Sequence, residues 1–273
     1  MSEAAELAPE PWPVHLLGLI NPLIVLAGNT LGGAYTAMGV VFIWGLGPIL
    51  DIVMGHTKEA RPPRESGLPF ETLLWVHGTL HFVVLASFFR FAYLEGAVTL
   101  WLVTAATSTG LSAASSAIIT AHELGHKKPK SPGWRLARLL LFSVHYTHFT
   151  TEHNHNHHKW VSTNRDPASA TEEQGIWIFW AKTIPAQFRS SVRIHNGKGR
   201  TGLRNPSYQG LILQILALAV LLIVPGGTPV AIGWLLLSLT AVLTLEYVNY
   251  IRHWGLRRGE DERQTEMQSW NTE

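Results

Sequence analysis

Six apolar stretches, at about 14–29, 34–54, 70–94, 97–121, 209–225 and 229–251, constrain this chain more than anything else in it. A helix rises about 1.5 Å per residue, so crossing ~30 Å of hydrocarbon takes roughly 20 apolar residues. The stretches at 97–121 and 229–251 meet that length most clearly. The first is interrupted by Asn21-Pro22, and the fifth is short unless it begins near Tyr208. A further apolar run, Leu139–Phe149, is too short to span and is expected to form an interfacial or partly inserted helix.

The basic residues test this map independently. Segments 55–69, 122–208 and 252–273 hold three, thirteen and four Lys or Arg, twenty of the chain's twenty-one. The alternate connections near 30–33, 95–96 and 226–228 hold none, and Arg90 lies close enough to the far end of its stretch to snorkel outward. Such asymmetry predicts an all-α polytopic membrane protein with six transmembrane helices. It sets both termini and the segment 122–208 on the cytoplasmic side of the inner membrane. A soluble protein with buried helices fits less well, because only 15% of residues are charged against 47% hydrophobic. Eleven tryptophans suit an interfacial belt.

Charge and cysteine exclude other classes. A formal charge of +2 gives no case for a nucleic-acid partner. With no cysteine there is no disulfide, no iron–sulfur cluster and no thiolate zinc site. The first thirteen residues carry Glu3, Glu6 and Glu10 but no Lys or Arg, so a secretory signal is not indicated.

Eight of the fourteen histidines fall between residues 122 and 158. His122 and His126 follow the fourth stretch. His145 and His148 come next, then Glu152-His153-Asn154-His155-Asn156-His157-His158, and His253 lies where the sixth stretch ends. The spans, drawn without reference to these residues, bring all of them to one side. Neutral imidazole suits iron, copper, nickel and zinc, so a metal site at the membrane surface is expected. Residues four apart share a helix face, which pairs His122 with His126 and His153 with His157. On an α-helix His158 lies about 100° further round and His155 points away, ranking as an outer or surface residue. His145 and His148, three apart, read equally as interfacial polar residues or as metal-linked ones. His77 and His81 share a face of the third stretch and read as structural or cavity-lining.

Two chemistries remain open at this point. His122-Glu123-x-x-His126 also reads as a zinc protease motif with Glu123 as general base. A zinc protease needs only one further ligand, so a second dense cluster would be surplus. Two metals explain the set more economically, and imidazole coordination with open positions suits iron that activates dioxygen.

Here the sequence resembles the integral-membrane non-haem diiron enzymes, and among them the alkane 1-monooxygenases of the fatty acid desaturase-like superfamily. The resemblance rests on Ala121-His-Glu-Leu-Gly-His-Lys-Lys128, on Thr151-Glu-His-Asn-His-Asn-His-His158, and on Asn164-Arg-Asp-Pro-Ala-Ser169. It also rests on Asn249-Tyr-Ile-Arg-His-Trp-Gly-Leu256, close to the form that separates alkane hydroxylases from desaturases. It covers most of the chain from the second stretch onward. The resemblance implies a single membrane-embedded domain over 1–273 and two iron ions ligated by His122, His126, His153, His157, His158 and His253. Glu123, Glu152, His148 and Asp166 are expected just outside the ligands.

It further implies O2-dependent terminal hydroxylation of a lipid-soluble alkane, with electrons from a rubredoxin-type carrier and its reductase. The chain has no cysteine and no Gly-x-Gly-x-x-Gly of its own to carry them. Lys127, Lys128, Lys159, Arg189 and Arg193 would steer an acidic carrier or serve only membrane orientation. Small residues from Ala105 to Ala117 read as close helix packing before an acyl channel. A fatty acyl desaturase or another hydroxylase of the group is the alternative within the family.

Two features depart from the family pattern. Asn156 stands where Gly is usual before the paired histidines, with a left-handed turn expected to survive there. The third cluster, His-x-x-His-His after a Ser-Trp-Asn segment, is absent although Ser269-Trp270-Asn271 is present. Two irons need about eight to ten protein ligands and six are matched. The expectation is therefore a truncated piece of a longer enzyme, binding iron poorly and inactive unless the missing segment is supplied, with a shortened homologue holding one metal as the alternative.

Overall fold

The computed structural model describes residue 9 and residues 11–55, 61–62 and 64–270; Glu3, Glu6, Glu10 and Asn271 lie outside the described residues. Among the described residues all regular structure is helical. Six helices are long and apolar enough to cross a bilayer: α1 (Trp12–Leu31), α2 (Gly33–Met54), α3 (Leu68–Glu95), α4 (Leu100–Gly125), α8 (Pro206–Ile223) and α9 (Gly227–His253). Between α4 and α8 lie α5 (Pro132–Ser143), the composite α6 (149–160) and α7 (Ile176–Gly197). The protein is an all-α polytopic membrane protein.

Asn21-Pro22 does not break α1. The helix runs as a tight 3-10 coil over Trp12–Leu19 and becomes α-helical from Ile20. Pro22 therefore falls in the first turn of the α-helical part, where its missing N–H deprives the new turn of nothing. Asn21 is buried and donates to Ser115 Oγ of α4 at 3.1 Å.

α4 is the axis of the bundle, and its small residues permit close approach on several sides. A Cβ on Gly110 would sit 2.5 Å from the Leu237 carbonyl oxygen of α9, and one on Gly39 of α2 would sit 2.9 Å from Ser108 Cβ. Ala105, Ala106, Ala113 and Ala117 are fully buried. Buried hydroxyls and amides pair across these contacts, as Asn29 does with Ser87 and Thr109. Packing is thus the role of the 105–117 stripe.

The apolar run at 139–149 is not one helix, which corrects the expectation. Ser131 caps α5 by accepting from the Trp134 N–H, and Pro132 occupies the first helical position. α5 ends at Ser143, and His145 takes a left-handed conformation (φ 54°) that turns the chain before α6. His77 and His81 have structural partners, Ser116 Oγ at 2.6 Å and Ser143 Oγ at 2.8 Å.

Candidate metal centre

α4 continues through His122 to Gly125, and His126 caps its C-terminal end. His122 and His126, four apart, present rings with centroids 5.0 Å apart. α6 meets them from the side. Asn154 Nδ2 donates to the Gly125 carbonyl at 3.0 Å, and Gly125 leaves room for Thr150, which a Cβ there would approach to 3.1 Å.

α6 owes its geometry to a π-helical turn, His153–His157, in which the His158 N–H reaches back to the His153 carbonyl. Hydrogen bonding from i+5 to i widens the coil and brings residues five apart onto one side. His158 thereby sits against His153, with centroids 4.3 Å apart, instead of rotating away. His157 remains 5.1 Å from His153. The left-handed turn expected at Asn156 is absent, because that residue is inside the π-turn; its side chain donates to Glu152 Oε1 at 2.8 Å.

His122, His126, His153 and His158 each direct a ligand atom to one place, all within 4.8 Å of one another. His157 and His253 lie alongside, with rings 5.2 Å apart. All six histidines singled out from the sequence therefore meet, four around one point and two beside it. All but His126 line a cavity of about 540 Å³, to which Ile118, Phe149, Leu245 and Val248 contribute an apolar side. His155 is exposed and outside the group.

The donor set fits a metal. The buried Nε2 of His153 has no hydrogen-bond partner. Burial, and then the neighbouring imidazoles, lower the pKa of His153 far below its ordinary value, and hold His158 at about 4. His126 is lowered by burial and by His122, against a smaller opposing effect of Glu123. Neutral imidazole is the ligating form, so these groups are ready without proton loss.

Neighbouring acceptors set the other tautomers. His157 Nδ1 lies 2.9 Å from Asp166 Oδ2, and His253 Nδ1 lies 2.8 Å from the Gln268 carbonyl. Each acceptor takes a proton on Nδ1 and leaves Nε2 to face the cavity. Burial works against charge on His157, but Asp166 outweighs it and raises the pKa. Asp166 itself is buried, which favours its neutral form, yet His157, Ser169 and the Ala168 N–H hold it below the usual carboxylate range. Glu123 reaches His122 Nδ1 at 2.9 Å in a half-exposed pair.

Two of the expected outer residues are placed differently. Glu152 bonds Asn156 and no imidazole among the described hydrogen bonds; burial, then Asp166, raises its pKa to about 7. His148 is not at the cluster: its ring packs on Tyr146 and Phe188 and lines a separate cavity, because the turn at His145 redirects it.

Sequence reasoning missed a buried polar group behind the histidines. Glu246, fully buried in α9, accepts from Tyr146 Oη at 2.8 Å, Gln187 Nε2 at 2.8 Å and Asn249 Nδ2 at 3.2 Å. Tyr146 stacks on Phe149, which stacks on His153 at 4.8 Å. The available signal was an acid inside an apolar stretch. Also missed was the strap 254–270. It returns past the end of α6, where Arg258 Nε donates to the Val161 carbonyl (2.9 Å), and closes back on α9, where the Trp270 N–H donates to the Arg252 carbonyl (2.8 Å). Among the basic residues, Lys127 pairs with Glu71 at 3.2 Å and Lys159 lies over Trp160, while Arg189 and Arg193 are exposed.

Comparison with known proteins follows the same lines. The family model described as fatty acid desaturase matches residues 98–273. Alkane 1-monooxygenase 1 of Alcanivorax borkumensis is 28% identical over 96% of this chain and 68% of its own length. Alkane 1-monooxygenase 1 of Pseudomonas aeruginosa is 30% identical over 96% of this chain and 73% of its own length. The alkane 1-monooxygenase of Acinetobacter baylyi is 32% identical over 57% of the chain and 40% of its own length.

Proposed function

This chain belongs to the fatty acid desaturase family, among the relatives named alkane 1-monooxygenase, and from that premise we propose that it hydroxylates an alkane at its terminal carbon. The proposed centre is a pair of irons to which His122, His126, His153, His157, His158 and His253 contribute six of the roughly eight to ten ligands such a pair takes, within one membrane domain spanning 1–273. The overall change is R–CH3 + O2 + 2 e⁻ + 2 H⁺ giving R–CH2OH + H2O. When bound, such irons supply the dioxygen reduction and C–H oxidation that no side chain can perform.

The chain's own residues do the rest. Asp166 and the Gln268 carbonyl hold His157 and His253 in the Nδ1–H tautomer, keeping Nε2 lone pairs toward the metal. The low basicity of His126, His153 and His158 keeps four-imidazole binding free of competing protons. Ile118, Phe149, Leu245 and Val248 make an apolar surface where an alkyl chain displaces water at no polar cost. A substrate dissolved in the bilayer reaches that surface from the lipid side.

With no cysteine, electrons come from a separate protein, and a rubredoxin-type carrier fed by its reductase fits the basic face bearing Arg189 and Arg193. The basic side faces the cytoplasm, which sets both ends inside and the protein in the inner membrane.

The observation that carries the reading is the convergence of four imidazoles on one point with two more alongside. It weighs against the zinc protease alternative, which needs three imidazoles and leaves three of the six without a task. The test is metal analysis of the membrane-embedded protein together with conversion of octane to octan-1-ol in the presence of an external reductant and carrier. Iron with alkanol formation supports the proposal. Desaturation of an acyl chain without alkanol would shift it to the desaturase alternative, and one zinc per chain with peptide cleavage would overturn it.

A further inference from the structure

A second cavity, of about 560 Å³, opens between α7, α8, α9 and the turn at 144–148, and it shares no lining residue with the histidine centre. Its size is that of a small-molecule site. Most of its wall is hydrocarbon, contributed by Val144, Ile184, Leu211, Leu235, Leu239 and Val242. Leu211, Leu235 and Leu239 are 40%, 48% and 53% exposed on membrane-spanning helices, so the chamber opens toward acyl chains.

Three polar atoms sit in this apolar setting without a partner: His145 Nε2, His148 Nε2 and Gln214 Nε2. Gln214 and His148 are only 4% and 7% exposed. A polar group buried unpaired is costly, and three in one cavity are not explained by packing. The 144–148 turn is pinned where it is. Thr147 lies against Gly210 of α8, where a Cβ would clash at 2.2 Å, and His145 Nδ1 is 2.7 Å from Ser238 Oγ.

The chemistry of these groups selects a ligand. The Gln214 amide nitrogen only donates, whereas a neutral imidazole nitrogen accepts or donates according to its tautomer. Burial holds His145 near pKa 4, and burial with the nearby Arg138 holds His148 near 3, so neither ring brings a charge. A hydroxyl accepts from the amide and donates to an imidazole at once. An alkane can do neither, and a carboxylate only accepts, so it cannot donate to an imidazole, although Arg189, which also lines the cavity, would balance its charge. We propose that this cavity binds an alkyl-chain alcohol, its hydroxyl held among Gln214, His148 and His145 and its chain lying along Leu211, Leu235 and Leu239. The site is separate from the metal centre and does not depend on the function proposed for it.

The test uses the full chain in phospholipid nanodiscs and a 1-alkanol carrying a diazirine on its chain, with cross-links mapped by mass spectrometry. Labelling is expected on peptides covering 184–189, 211–214 and 235–242. Decan-1-ol should suppress it at concentrations at least about tenfold below those needed with decane or decanoate, the worth of one hydrogen bond. Gln214→Leu, a near-isosteric change on a lipid-facing helix, and His148→Phe should each weaken that suppression about tenfold. Bound metal per chain should stay unchanged in Gln214→Leu, and chelated wild type should label normally, which separates this site from the histidine centre. Equal suppression by decane, stronger suppression by decanoate, or unaltered labelling in both variants would overturn the proposal.

Discussion

Replacing Asp166 by Asn probes how the outer partner governs the metal site. Asp166 Oδ2 lies 2.9 Å from His157 Nδ1 and 2.6 Å from Ser169 Oγ, and Oδ1 accepts from the Ala168 N–H at 3.1 Å. The carboxylate is fully buried and the imidazole nearly so. An amide has one acceptor oxygen where the carboxylate has two. If that oxygen serves Ala168, an NH2 faces His157 Nδ1, and the ring must move its proton to Nε2, the atom the metal needs. If the amide flips, a buried backbone N–H is left unpaired at about 1–3 kcal/mol of folding stability. Loss of such an outer partner typically costs ~10–100-fold in metal affinity, or about 1.4–2.7 kcal/mol.

The assay is Co(II) titration of stripped protein followed by visible absorption, with thermal unfolding of the metal-free form alongside. Ser169→Ala is the control. It removes the hydrogen bond to Asp166 and the one accepted from the buried Ser162 N–H (2.8 Å) but leaves the charge, so it should lower stability by about 2–4 kcal/mol with little effect on affinity. Affinity of Asp166→Asn within threefold of wild type, or an equal loss in Ser169→Ala, refutes the reasoning.

Gly110→Ala places a Cβ 2.5 Å from the Leu237 carbonyl and 2.6 Å from Thr240 Cβ, and should cost about 1–3 kcal/mol in detergent unfolding. Gly133→Ala, whose nearest neighbour is the end of Leu124 at 3.3 Å, should be close to neutral in the same melt. Glu246→Leu strands Tyr146, Gln187 and Asn249 and should destabilise on the order of 3 kcal/mol, whereas Glu246→Gln keeps an acceptor and should lose far less. Metal uptake should show two pH regimes in Co(II) titrations. His157, with its pKa raised above 6.5, must shed a proton to bind, so affinity at its half of the site falls about tenfold per pH unit as pH drops through the neutral range. The half containing His158, at about 4, should hold metal until pH approaches that value.

The sequence alone determined the architecture and singled out the histidines that converge. Long apolar stretches admit only helices in lipid, since backbone groups there must pair within their own segment. The one-sided basic residues and the emergence of His122, His153–His158 and His253 on that side follow from span counting. Tertiary structure decided the rest. α-Helical periodicity rotates His158 away from His153, but a single π-turn brings it back, and that choice depends on α6 packing under α4. One left-handed residue, His145, removed His148 from the metal cluster and delivered it to another cavity. Glu246 and the Gln268 carbonyl acquired their partners only through contacts between residues distant in sequence, which no local pattern encodes.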